Sequence, residues 1–202
     1  VQIGSIYGGV VNIAMPEQKP RLRSRRRPVL LRPRPFSNLL DRKTEVTAAA
    51  ATLESGQPVE LCGEVGLGKT SLLRHLAYQS PTSSYPDGIV FLSAHEQHID
   101  DLRQSLFDAF YASNIAFKPS EALLKRALKD KQALVLLDDI SLARVHVEIL
   151  LDAAPNCTFL FARLQRCLWG DGRSIALAGL PADEALILME RELGRTQRLP
   201  IG

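Results

Sequence analysis

From residue 36 onward the chain alternates short apolar runs with stretches of helical periodicity. The runs at 59–62, 88–93, 133–137, 157–162 and 174–178 are almost wholly apolar, the signature of strands buried on both faces. Between them, 44–55, 70–79, 100–113, 120–129, 142–153 and 181–193 carry apolar positions three and four residues apart and predict helices. Asp41 and Ser120 offer N-caps, Pro181 opens the last helix and Gly194 stops it. Strands alternating with helices predict an α/β fold, with a parallel sheet of about five strands and helices on both faces.

Two zones precede this pattern. Residues 1–15 are β-prone and centred on Gly8-Gly9, a two-residue turn that would pair Tyr7 with Val10 and Ile6 with Val11. A lone hairpin is marginal in water and would need a partner surface. Residues 16–35 hold five prolines and read as an extended linker, which leaves 36–202 as the folded domain. The chain starts at Val1 and stops in an uncapped Leu199-Pro200-Ile201-Gly202, as expected of a piece of a longer protein.

Charge sharpens the division. The chain carries 25 basic and 22 acidic residues, net +3. Lys19, Arg21, Arg23, Arg25, Arg26, Arg27, Arg32 and Arg34 fall in one acid-free stretch, so the basicity belongs to the linker. No aromatics are interleaved there and the prolines prevent a basic helix, so a solvated linker is expected rather than a nucleic-acid or lipid-binding element. No apolar run reaches 18 residues and no signal peptide opens the chain, so neither membrane insertion nor export is expected. Cys62, Cys157 and Cys167 lack metal or disulfide spacing, which fits a reducing cytoplasm.

Chemistry concentrates at two points. Gly63-Glu64-Val65-Gly66-Leu67-Gly68-Lys69-Thr70 meets G-x-x-x-x-G-K-[ST] at every fixed position, between a strand-like run and a helix that continues through Ser71. Glycines let the backbone wind round a phosphate with its N–H groups inward. The helix start favours negative charge, Lys69 would reach the β- and γ-phosphates, and the Thr70 hydroxyl would ligate Mg²⁺. The second point is Leu134-Val135-Leu136-Leu137-Asp138-Asp139, a buried strand ending in acid. In a doubly wound sheet that carboxyl end lies where ligands bind. Asp138 would hold Mg²⁺ and Asp139 would orient or deprotonate the attacking water. The four histidines, His95-x-x-His98 included, show no metal-site spacing.

Taken together these motifs resemble the STAND class of P-loop ATPases, most closely the NB-ARC/NACHT-type nucleotide switches of bacterial signalling and defence proteins. Leu39-Leu40-Asp41-Arg42-Lys43-Thr44-Glu45 keeps the Arg and final Glu of that family's motif ahead of the first strand. The resemblance implies that Arg42 lies near the adenine. Phe159-Leu160-Phe161-Ala162-Arg163 is similar to the strand whose terminal arginine senses the γ-phosphate, with Arg166 as a competitor. The resemblance covers about 36–194 and implies ATP/ADP binding with Mg²⁺, slow hydrolysis and self-association in the ATP state. The family's helical and winged-helix domains are not in this sequence. Val1-Gln2-Ile3-Gly4 resembles the core of amyloid signalling motifs, which makes 1–15 either a hairpin or a link to an upstream effector. Two alternatives stand beside the switch: an AAA+ or origin-recognition ATPase, and an adaptor in which nucleotide is structural. No guanine-reading Asn-Lys-x-Asp is present, which favours adenine.

Overall fold

The computed structural model describes residues 20–36, 38–170 and 172–193. The expected 1–15 hairpin and the stop at Gly194 lie outside them. In chain order the elements are β1 (Leu22–Ser24), β2 (Val29–Leu31), α1 (Lys43–Glu54), β3 (Val59–Cys62), α2 (Lys69–Gln79), β4 (Gly88–Ser93) and α3 (Ile99–Phe110). They continue with β5 (Tyr111–Ser113), α4 (Glu121–Leu128), β6 (Ala133–Asp138), α5 (Arg144–Ala153), β7 (Thr158–Arg163), β8 (Arg173–Ala176) and α6 (Ala182–Leu193).

Six strands form an all-parallel sheet in the order β2-β4-β6-β7-β3-β8. Alternation along β6 shows why its sequence is continuously apolar. Leu134 and Leu136 face a core built with α1 and α2, around Leu53, Leu72, Leu73 and Leu76. Val135 and Leu137 face the opposite core, filled by Leu106, Phe107, Leu124 and Leu150 from α3, α4 and α5. Both faces are covered, as the unbroken runs require.

The sheet has one strand more than expected, and the addition comes from the supposed linker. Val29–Leu31 pairs parallel with β4, Val29 opposite Gly88. Leu22–Ser24 pairs antiparallel with Tyr111–Ser113 in a separate two-stranded ribbon. Three-residue strands between prolines carry no periodicity of their own, and an edge strand tolerates proline.

The same pairing corrects α3, which ends at Phe110 rather than Ser113. Arg25 N donates to the Phe110 carbonyl at 2.8 Å, and Tyr111 stacks on Phe107 while its hydroxyl donates to Ala127 O. Asp41 is not the cap of α1. Arg42 occupies that position without a side-chain capping bond. Ser120 caps α4 as expected, accepting from Leu123 N.

Beyond β2 the chain runs along α2 as a strap. Tyr78 Oη donates to Pro33 O, Arg74 Nε donates to Arg34 O, and Arg74 lies over the Phe36 ring. Ahead of β2, Arg27 pairs with buried Asp87, which also binds Lys131 and accepts from Gln132 N.

Candidate functional site

All six parallel strands end on one side of the sheet, and the chemistry gathers there. The chain leaves β3, passes through α2 and returns at β4, beyond β7 and β6, while β8 flanks β3 on its other side. This reversal of direction opens a crevice at the carboxyl ends. The glycine-rich turn of 63–68 fills it. Gly66 and Gly68 sit at φ +89° and +85°, a left-handed conformation that L side chains rarely adopt. Gly63 combines φ +147° with a Cβ position 2.9 Å from Leu177 O, so the loop's root has no room for a side chain.

Lys69 Nζ donates to the Gly63 and Glu64 carbonyls at 2.6 and 2.7 Å, folding back over the loop. Thr70 Oγ1 donates to Asp138 Oδ1 at 2.9 Å, so α2 reaches across β7 to the acidic strand. Burial raises the Asp138 carboxyl above its usual value and the Asp139 charge adds to this, while the Thr70 hydroxyl opposes it. Thr70 and Asp138 thus bring together two oxygen donors where a negative charge is costly, which suits a hard cation such as Mg²⁺. Among the described residues no group of three His, Cys, Asp or Glu could hold a metal. A cation there would complete its shell with phosphate and water oxygens.

Two cavities meet over the loop. One, of about 500 Å³, is polar and lined by Val65, Lys69, Thr70, His95, Asp138 and Asp139. The other, of about 390 Å³, is walled by Leu39, Leu40, Leu67, Leu180 and Leu188. Gly66, Gly68 and Ser71 line both. Arg42, which the family resemblance puts near an adenine, forms part of the second wall. It is 6% exposed and donates to Glu45 Oε1, Leu67 O and Ala178 O at 3.0, 3.2 and 2.7 Å.

Arg163 is not brought to either cavity. Its neighbour Ala162 lines the polar one, and alternation along β7 turns Arg163 to the opposite face. There its Nη2 donates to Leu142 O at 3.0 Å and its Nε lies 3.5 Å from Glu60 Oε1. Glu60 is fully buried and accepts from Cys167 N, Leu168 N and the Ser174 hydroxyl. The competing Arg166 lies over the Trp169 ring. Sequence reasoning missed His95. Without a metal-site spacing it looks like a loop histidine, yet its Nδ1 lies 2.6 Å from Asp139 Oδ2. Gly179, Leu180 and Leu188 were equally silent, because the apolar pocket joins them to 36–42 only in three dimensions.

No family model matches the chain, and no curated protein matches it in sequence. Solved structures do. The Walker-type ATPase of Pyrococcus abyssi is 15% identical, with a TM-score of 0.52, over 83% of this chain and 63% of that one. AMPPCP-bound DnaA from Aquifex aeolicus is 16% identical, with a TM-score of 0.50, over 82% and 56%. This chain therefore spans less than two thirds of either. The fold is that of the P-loop ATPases: an α/β domain with a parallel sheet and helices on both faces. No helix among the described residues is long and apolar enough to cross a membrane.

Proposed function

We propose that this domain binds ATP and ADP with Mg²⁺, hydrolyses ATP slowly, and works as a STAND-type switch that controls self-association in the cytoplasm. The observation that carries the reading is the junction of an apolar pocket and a polar cavity over Gly66, Gly68 and Ser71. A nucleotide has that division: a base for the apolar wall and phosphates for the loop. The backbone of Gly63, Glu64, Val65, Gly66, Leu67 and Gly68 would cradle the phosphates, with Lys69 and the start of α2 supplying positive potential. Thr70 and Asp138 would hold Mg²⁺, which when bound neutralises phosphate charge. Asp139 would order the attacking water. Arg42 shapes the base pocket through Leu67 and Ala178 and does not itself need to touch the base.

Lys69→Ala tests the site. Calorimetric titration should show ATP and ADP affinity falling at least about tenfold, and an unchanged affinity overturns the assignment. For the switch, light scattering with ADP and with a non-hydrolysable ATP analogue should show association only with the latter. A ligand shifts such an equilibrium only by its differential affinity for the two states. Equal mass with both nucleotides leaves an ATPase without a switch. Arg163 could sense the γ-phosphate only by exchanging Glu60 for it. If Arg163→Ala leaves the ratio of ATP to ADP affinity unchanged, it has no such role.

The likeness in fold to DnaA keeps a second reading in view, an AAA+ ATPase. Turnover well above one per minute by the purified chain would favour it over a slow switch.

A further inference from the structure

His95 lies at the mouth of the polar cavity in a geometry that stability alone does not explain. Its Nδ1 and Asp139 Oδ2 are 2.6 Å apart, with the side chains 66% and 62% exposed. A pair so open to water contributes little to folding. The backbone on both sides is nevertheless held for it. Glu96, next to His95, has φ +53°, and Asp139 has φ +55°, left-handed conformations rare outside glycine. Three main-chain bonds secure the two turns. Ala94 N donates to Asp138 O at 2.7 Å, one step beyond the Ser93–Asp138 pair of β4 and β6. Gln97 N donates back to Ala94 O, and Ile140 N donates to Ala162 O, anchoring the Asp139 turn on β7.

We propose that His95 is a positioning residue for ATP hydrolysis, holding the Asp139 carboxylate in place above the phosphate cavity. The inference rests on the nucleotide reading of that cavity. Against an ionised carboxylate Nδ1 must carry the proton, so Nδ1–H donates and fixes one oxygen of Asp139. The other oxygen is left to accept from a water. In hydrolysis that water's oxygen bonds to the γ-phosphorus while the bond from the γ-phosphorus to the β–γ bridging oxygen breaks. ADP leaves with the bonding pair, and the proton given up by the water passes to Asp139 and then to solvent. Without the imidazole the carboxylate swings freely, and misplacing a reacting group by about 1 Å is enough to cost on the order of 10²-fold in rate.

The test uses the full chain with Mg-ATP and the variants His95→Ala, His95→Asn, Asp139→Asn and the double variant His95→Ala/Asp139→Asn. His95→Ala should lower kcat about tenfold or more, with KM, ADP affinity and melting temperature unchanged. His95→Asn, whose amide can donate from the position of Nδ1, should restore most of the rate. In the Asp139→Asn background the loss of His95 should cost nothing further, because its action runs through that carboxylate. An unchanged kcat in His95→Ala, a rise in KM alone, or full additivity in the double variant overturns the proposal. An unaltered chain that binds ATP but does not hydrolyse it also overturns it and leaves the binding site standing. Absence of nucleotide binding removes the underlying reading instead.

Discussion

Arg42 and Glu60 are buried charges on opposite sides of the loop's root, and each is satisfied by several partners. Arg42 ties the start of α1 to the Leu67 and Ala178 carbonyls, so it holds the phosphate loop against the segment after β8. Arg42→Met should leave both carbonyls short of a donor and cost roughly 2 kcal/mol, seen as a lower urea midpoint at unchanged slope. On the proposed reading nucleotide affinity should fall with it, because the apolar pocket shares that wall. Glu60 sits inside the sheet, anchoring the 167–168 turn and Ser174 and facing Arg163. Glu60→Leu leaves Arg163 buried beside no counter-charge and should cost about 3 kcal/mol or more in the same measurement. The family resemblance implies a phosphate sensor at Arg163, and nothing in the sequence assigns Glu60 a role. The two explain each other only once β3 and β7 are neighbours.

At the scale of elements, the phosphate-loop and acidic strands were legible because each is a local statement. Val59–Cys62 has the bounds that its apolar run predicts, and Ala133–Asp138 starts where its run starts and ends on the acid. β1, β2 and β5 were not legible, because strands of three residues draw their stability from partners elsewhere in the chain. Leu22 meets Ser113, and Val29 meets Gly88. The residue that admits β2 is Gly88. Its φ is +122°, and a Cβ there would lie 1.9 Å from the Val29 carbonyl oxygen. Gly88→Ala should therefore detach β2 while the other five strands persist. Hydrogen exchange should rise across 29–31 and stay slow in β3, β6 and β7. Slow exchange at 29–31 in that variant would show that the strap alone holds the edge.

For the whole molecule, buried thiols and a phenol set an alkaline limit. Burial pushes Cys157 up from 9.0 to about 11, and burial likewise raises Cys62 and Tyr85. These groups are neutral in the fold, whereas the unfolded chain ionises its thiols from about pH 9. Protons are then held more tightly by the folded state, so stability is full below pH 9 and falls as pH rises toward about 11. For Cys157 alone the two-unit gap corresponds to at most about 2.7 kcal/mol. Melting temperatures from pH 8 to 11 should decline, and Cys157→Ala should flatten the decline. An equal slope in that variant places the limit elsewhere.

The strap also determines how tension would travel through the domain. A pull on residue 20 first meets the three pairs of β1 and β5, an isolated ribbon that can yield without disturbing the main sheet. Next comes the Arg27–Asp87 pair, and then β2, which a pull from its N-terminal end loads in shear along β4. Only past that point does strain reach the contacts of Arg34, Pro33 and Phe36 with α2, the helix whose first turn faces the polar cavity. Weak tugs on the upstream segment are thus absorbed at the rim. A load that outlasts these pairs passes to α2 through Arg74 and Tyr78, one turn and more beyond Lys69 and Thr70.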